Sequence, residues 1–438
     1  MSLIQSLIKD KLFKGGSTIL FASLVGSIAN YFFQFFMSRK LSVEDFGIMN
    51  TLFSLFVITG IPGAVILVVM AKYTSKHKAL EQESELHHFY LIALKLVALG
   101  AAILFSIYVI FSTHISDYLK IDSNILVIIL AGMLFITFLK TVNLGIIQGL
   151  QMFGFLGAVG ALGGILRLLF GIGFIYMGLK LIGAICAPLV AGFIVLIITY
   201  YPLRSFFKRD HIKTVLLNRK EILSYSVPVL LSAMCLMVFS NIDIILIKHY
   251  FTPDEAGQYA AGAILGRIIF QFPGAIVIAF FPIVAEAHTL NKNVMPLLSK
   301  GLIFTAILSG VGTILYMVIP EFIVSSLFGS KFIQTAPLLK LFGFAMLPMA
   351  LLNILINFNL ARHRTNFVYT LVIGSIAEIV LICLIHDSLA QVIYIMIGVS
   401  VILFIVNYSL VFIGNRNEGK EEISGSGEEG VVLDGLNL

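Results

Sequence analysis

Leu41-Ser42-Val43-Glu44-Asp45-Phe46-Gly47, followed by an apolar run closing on Pro62-Gly63-Ala64, is written in this chain a second time. The second copy is Phe251-Thr252-Pro253-Asp254-Glu255-Ala256-Gly257, closing on Pro273-Gly274-Ala275. The paired glycines lie 210 positions apart and the paired prolines 211, near half of the 438 residues. The chain reads as two copies of one unit. In each copy a hydroxyl residue, Ser42 or Thr252, stands three positions before an acid, Asp45 or Glu255. That is the spacing of a capping box, with the acids at the positive end of the helix dipole. Pro253 falls where a helix tolerates proline, at its first position. About 30 Å further along at 1.5 Å per residue, Pro62 and Pro273 interrupt runs that are still apolar, and both are candidate hinges.

Composition decides the class. Hydrophobic residues make up 59% of the chain and charged residues 12%, with a mean hydropathy of +1.02. A soluble chain carries about twice that charged fraction, so the expectation is a multi-pass membrane protein. Three cysteines, all in apolar runs, form neither a disulfide framework nor a metal site. No P-loop, His-Glu-x-x-His or nucleophile-elbow pattern occurs, so no cofactor, no metal and no enzyme activity are expected.

Twelve apolar runs follow one another: about 17–37, 44–71, 89–112, 124–148, 155–177, 181–202, 226–247, 254–285, 301–319, 336–358, 366–386 and 390–413. Residues 1–14 read as an amphipathic interfacial helix, and 414–438, rich in Gly, Ser and Glu, as a disordered tail. With the N-terminus inside, inner segments hold eighteen Lys and Arg and outer loops six. The positive-inside rule then places both termini in the cytoplasm. The net charge of +6 is thus a topology signal, and nucleic acid is not an expected partner. The long basic loop from Arg204 to Lys220 marks the repeat boundary. Six spans per copy make the copies parallel, so their pseudo-twofold axis lies along the membrane normal. The expected fold is all-α, with twelve transmembrane helices in two six-helix lobes, 1–210 and 211–413, facing each other across a central cavity.

Five cations fall inside apolar runs. Lys95 and Lys340 lie near span ends and can snorkel. Arg167, Arg267 and Lys140 lie deeper, where each costs about 2.5–3.5 kcal/mol at a helix centre. They line a wet cavity or belong to buried ion pairs. Candidate partners are Glu378, the repeat equivalent of Arg167, and Asp243, one run before Arg267; either acid is a structural partner or a protonatable coupling site. Ser23, Ser27, Asn30, Gln34 and Ser38 share one helical face, read either as interhelical hydrogen bonding or as cavity wall. Gln271 follows Arg267 by one turn.

The stretch from Ser226-Val227-Pro228-Val229-Leu230-Leu231-Ser232 to Asn241-Ile242-Asp243 resembles the oligosaccharide flippases of polysaccharide synthesis. So do Thr252 to Tyr259, Arg267, Pro273-Gly274, the Leu41–Gly47 motif, and Gln148-Gly149-Leu150-Gln151 followed by Arg167. These proteins belong to the multidrug, oligosaccharidyl-lipid and polysaccharide exporter superfamily. The resemblance implies a protein of the cytoplasmic membrane that moves a polyprenyl-diphosphate-linked oligosaccharide between leaflets by alternating access. It implies Arg167 and Arg267 as cavity cations; Lys140, Asn30, Gln34 and Gln271 join them on the expected path by position alone. Expected partners are the lipid-linked oligosaccharide, membrane lipid and polysaccharide assembly proteins, and the expected state is a monomer. The alternative is a cation-coupled multidrug exporter of the same superfamily, whose members use a membrane acid in the first lobe. The first six runs hold no such acid beyond their capping ends.

Overall fold

The computed structural model describes residues 11–204, 230–231, 233–271, 273, 280, 284, 293–362 and 367–432. Among these the protein is helical. In chain order the helices are α1 (Lys11–Lys40), α2 (Val43–Ala79), α3 (Glu83–Ile110), α4 (Ser112–Tyr118), α5 (Ile125–Gly149), α6 (Phe153–Tyr176) and α7 (Lys180–Tyr200). They continue as α8 (Ile242–Tyr250), α9 (Pro253–Gln271), α10 (Met295–Val318), α11 (Pro320–Leu327), α12 (Thr335–Ala361), α13 (Phe367–Leu384) and α14 (Leu389–Val432).

Ten helical stretches among the described residues are long and apolar enough to cross a membrane, one of them Ala233–Tyr250, which ends in α8, and they match ten of the twelve runs. The first run is occupied by α1, and the eighth by α9 together with residues outside the described set. Their surfaces are inverted relative to a soluble bundle. On α10, Thr305, Ser309 and Thr313 share one face and are buried, while Phe304, Ile307, Val311 and Ile314 are exposed. On α3, Leu96, Leu99, Ile103 and Ile107 are likewise exposed at helical spacing. Only a hydrocarbon solvent makes that arrangement favourable, because inside it polar groups need protein partners. Thr313 donates to the Gly343 carbonyl at 3.1 Å, and Tyr316 to the Leu265 carbonyl at 2.7 Å.

The chain divides into two compact units, Met1–Ala261 with Glu321–Thr335, and Gly262–Pro320 with Ala336–Leu438. In the first, α1 packs on α6, α2 on α5, and α7 on both α5 and α6. Small residues permit the approach: a Cβ on Gly164 would lie 2.6 Å from the Gly26 carbonyl oxygen. In the second unit α13 packs on α14, and Phe280, Leu298, Leu355 and Phe358 share a core.

The local expectations divide. Ser42 accepts from the Asp45 N–H at 3.0 Å, and Thr252 and Glu255 close a reciprocal box at 3.0 and 3.4 Å. Pro62 does not break α2, which runs unbroken from Val43 to Ala79. An unwound backbone in hydrocarbon has no water to bond, so the helix continues past its proline. Pro273, by contrast, lies buried just beyond the end of α9. The interfacial helix expected over 1–14 merges into α1 from Lys11 onward, residues 1–10 lying outside the described set. The Gly15-Gly16 pair alone is too weak a breaker. Residues 414–432, expected to be disordered, continue α14 as helix. Extending a formed helix avoids the unfavourable nucleation step.

Candidate functional site

A cavity of about 570 Å³ lies within the first unit, walled by α1, α2, α5, α6 and α7. Each helix contributes for a local reason. On α5, Thr137, Lys140, Leu144 and Gln148 recur at spacings of three and four, so they form one stripe on the wall. On α6, Gly160, Gly163 and Gly164 leave the space that side chains would fill, and Pro188 and Gly192 do the same on α7.

Arg167 of α6 reaches this cavity held from both sides. Its guanidinium carbon lies 4.3 Å from the ring centre of Phe33 on α1 and 4.5 Å from that of Phe53 on α2. One Nη donates to Asn30 Oδ1 at 3.2 Å, while the buried Nε has no hydrogen-bond partner. The two rings and the amide fix the plane of the charge without neutralising it. Lys140 is the second cation, and no acid lines the cavity among the described residues. Two positive charges with apolar walls and no counter-charge make a site for an anion.

Of the residues expected on the path, Arg167, Lys140 and Asn30 meet in this cavity. Gln34 lies outside its lining and donates to Asn50 Oδ1 at 3.1 Å, tying α1 to α2. Ser38 is buried and bonded to the Phe35 carbonyl at 2.8 Å. The polar stripe on α1 therefore serves both of its readings at different heights. Arg267 is half-buried on α9 in the second unit, and Gln271 is exposed at the end of that helix. Asp243 is buried and accepts from the Tyr259 hydroxyl at 3.0 Å. Glu378 is buried on α13. Pro62 faces a separate apolar groove of about 380 Å³ with Leu96, Gly100 and Phe138. Phe33 and Phe53 were not legible as part of the site; the one available signal was that Phe33 follows Asn30 by three positions on the same helix face.

A second assembly joins the two sequence copies where α1 gives way to α2. Gly47 and Gly257, the repeated glycines, touch: a Cβ on Gly257 would fall 2.1 Å from the Val43 carbonyl oxygen. The short helix α4 rests on α8, and α11 on the end of α1. At the end of α4, Tyr118 stacks on His249 of α8 with ring centres 4.0 Å apart, and its carbonyl accepts from His249 Nδ1 at 2.7 Å. Beyond α11, Phe328 packs edge-on against Phe35 and Phe46 at 5.4 and 5.7 Å. Lys331 donates to the Leu41 carbonyl and Arg39 to the Ser326 carbonyl. Both carbonyls lie at helix C-terminal ends, which favour cations.

The family model described as polysaccharide biosynthesis protein matches residues 12–288. An uncharacterized membrane protein of Methanocaldococcus jannaschii is 26% identical over 334 residues, 72% of this chain and 76% of that protein. Among solved structures, the chain is similar to an inward-facing multidrug resistance MATE family transporter of the MOP superfamily. The TM-score is 0.72 at 15% identity, covering 92% of this chain and 98% of that one. It is also similar to the lipid II flippase MurJ in an inward closed conformation, with TM-score 0.67 at 14% identity, covering 92% and 87%. At these identities the likeness establishes the fold alone, that of a multi-pass helical membrane protein.

Proposed function

We infer the function from one premise: the chain belongs to the polysaccharide biosynthesis protein family. We propose that it is a flippase, moving a polyprenyl-diphosphate-linked oligosaccharide from the inner to the outer leaflet of the cytoplasmic membrane by alternating access. The observation that carries this reading is the cavity holding Arg167 and Lys140 with no acid among the described residues of its wall. A diphosphate supplies the missing negative charge and the multiple acceptor oxygens that a clamped guanidinium suits.

In the proposed arrangement twelve spans form two six-helix lobes, 1–210 and 211–413, about a pseudo-twofold along the membrane normal, with both termini cytoplasmic. The contact of Gly47 with Gly257 supports that axis, since repeat-equivalent residues meet at a twofold. The Tyr118–His249 and Phe328–Phe46 contacts then form the outer closure of an inward-open path. Arg267 and Gln271 extend the path, Pro62 and Pro273 are the hinges, and Asp243 and Glu378 are structural acids. The protein acts as a monomer on lipid-linked oligosaccharide, beside polysaccharide assembly proteins.

A second reading, a cation-coupled multidrug exporter, is favoured by the similarity to the MATE transporter fold. The uncompensated cations weigh against it, because they repel the cationic compounds such an exporter would carry. The test is transport by purified protein in liposomes containing a fluorescent polyprenyl-diphosphate oligosaccharide, with arrival at the outer leaflet scored by a membrane-impermeant quencher. Transport by the wild type that is lost in Arg167→Ala is the expected result. Ethidium efflux under an ion gradient, with no lipid movement, would establish the exporter instead.

A further inference from the structure

The walls of the cavity say which part of such a substrate it holds. We propose that it takes the junction between the diphosphate and the first isoprenoid units, and that the glycan stays outside it. This rests on the flippase reading and deepens it. Among the described residues, polar side chains reach the lining at Asn30, Thr137, Lys140, Gln148 and Arg167. Asn30 is already engaged with Arg167. Sugars are commonly gripped by stacking on aromatic faces and by dense hydrogen bonding. Of the two aromatic side chains in the described lining, Phe53 is taken up by the Arg167 guanidinium, which leaves Phe56 alone for stacking. The remaining surface is built from residues such as Phe56, Leu67, Leu144, Leu156 and Leu189. Each sugar hydroxyl placed against that surface would lose its water without gaining a partner. An isoprenoid unit in the same place gains, because it removes apolar area from water on both sides.

Volume points the same way. About 570 Å³ is the size of a small-molecule pocket, room enough for a diphosphate and its adjoining isoprenoid units. The α5 stripe puts Leu144 one turn from Lys140, so charge and apolar wall adjoin on a single helix face. A ligand satisfying both neighbours is an anionic phosphate bonded directly to a hydrocarbon chain. The consequence is a carrier that recognises the lipid pyrophosphate and tolerates different glycans.

Binding to the full-length purified protein in nanodiscs tests this with four probes. They are a short-chain prenyl diphosphate, the same prenyl diphosphate bearing one sugar, a glycosyl diphosphate lacking the prenyl chain, and inorganic diphosphate. The prenyl diphosphate should bind at least 100-fold more tightly than inorganic diphosphate, and adding the sugar should change its affinity less than threefold. Arg167→Ala and Lys140→Ala should each weaken it at least tenfold. Leu144→Gln should weaken the prenyl diphosphate by a similar factor while leaving inorganic diphosphate unchanged. Thermal unfolding of each variant at the wild-type temperature separates loss of binding from loss of fold, and Arg167→Lys serves where Arg167→Ala does not fold. Competition by the glycosyl diphosphate as strong as by the prenyl diphosphate would overturn the proposal. So would indifference of prenyl diphosphate binding to Leu144→Gln. Either result with lipid-linked oligosaccharide transport intact removes this assignment alone, whereas absence of that transport removes the flippase reading with it.

Discussion

Arg167 illustrates how one residue acquires a role from its neighbours. Its position in an apolar run is visible in the sequence, and so is the cost of placing it there. Its fixed orientation comes from Phe33 and Phe53, which lie far away in the chain. Arg167→Lys keeps the charge but loses the plane that the two rings clamp and the directed bond to Asn30. Cation–aromatic contacts of about 0.5–2 kcal/mol correspond to a loss of roughly 2–30-fold, so lipid transport in liposomes should fall within that range. Transport by the lysine variant equal to wild type would mean that charge alone matters. Gly257 makes a second prediction at this scale. Its missing Cβ is occupied by the Val43 backbone, so Gly257→Ala should destabilise by about 1–3 kcal/mol. At Gly310 nothing lies within 4 Å of the added carbon, so the same change there should be neutral or slightly stabilising. Thermal unfolding in one detergent, run on both variants, checks the contrast.

Among the elements, the starts of α2 and α9 were readable because capping is a matter of four consecutive residues. Thr252 both accepts the Glu255 N–H and donates to the Glu255 carboxylate at 2.7 Å. Thr252→Ala should therefore cost about 0.5–2 kcal/mol, seen as a lower unfolding temperature; an unchanged temperature would mean that α9 starts without its box. The ends and interiors of elements were less legible. Pro62 and Pro273 have the same local context and opposite outcomes, one inside a continuous helix and one beyond a helix end. The run expected over 226–247 also turns out interrupted. Asn241 has left helical geometry, its side chain bonds back to the Met237 carbonyl at 2.9 Å, and α8 restarts at Ile242. Side chains that compete for backbone carbonyls mark such breaks only weakly in sequence.

For the whole molecule, the proposed cycle requires the contacts of α4 with α8 and of α11 with α1 to part whenever the path opens outward. Tyr118 and His249 offer a handle, since their rings stack and the His249 Nδ1 reaches the Tyr118 carbonyl at 2.7 Å. With Cys186, Cys235 and Cys383 replaced, the pair Tyr118→Cys and His249→Cys should form a disulfide under oxidation. Transport should then stop and recover on reduction. Complete cross-linking with undiminished transport would show that this end does not open. The same clasp explains why Glu321–Thr335, late in the sequence, belongs to the first compact unit.

The sequence by itself determined the solvent, the repeated motif, ten of the spans that the structure bears out, the two caps and the cations placed within apolar runs. Each is written in composition, periodicity or spacing over a few turns. The tertiary structure alone decided that the cavity lies inside the first unit, that Arg167 is held by Phe33, Phe53 and Asn30, that Gln34 bonds to Asn50, and that the repeated glycines touch. These depend on which helix faces meet. Side chains brought together from 16 to 210 positions apart leave no local pattern by which a single sequence could announce them.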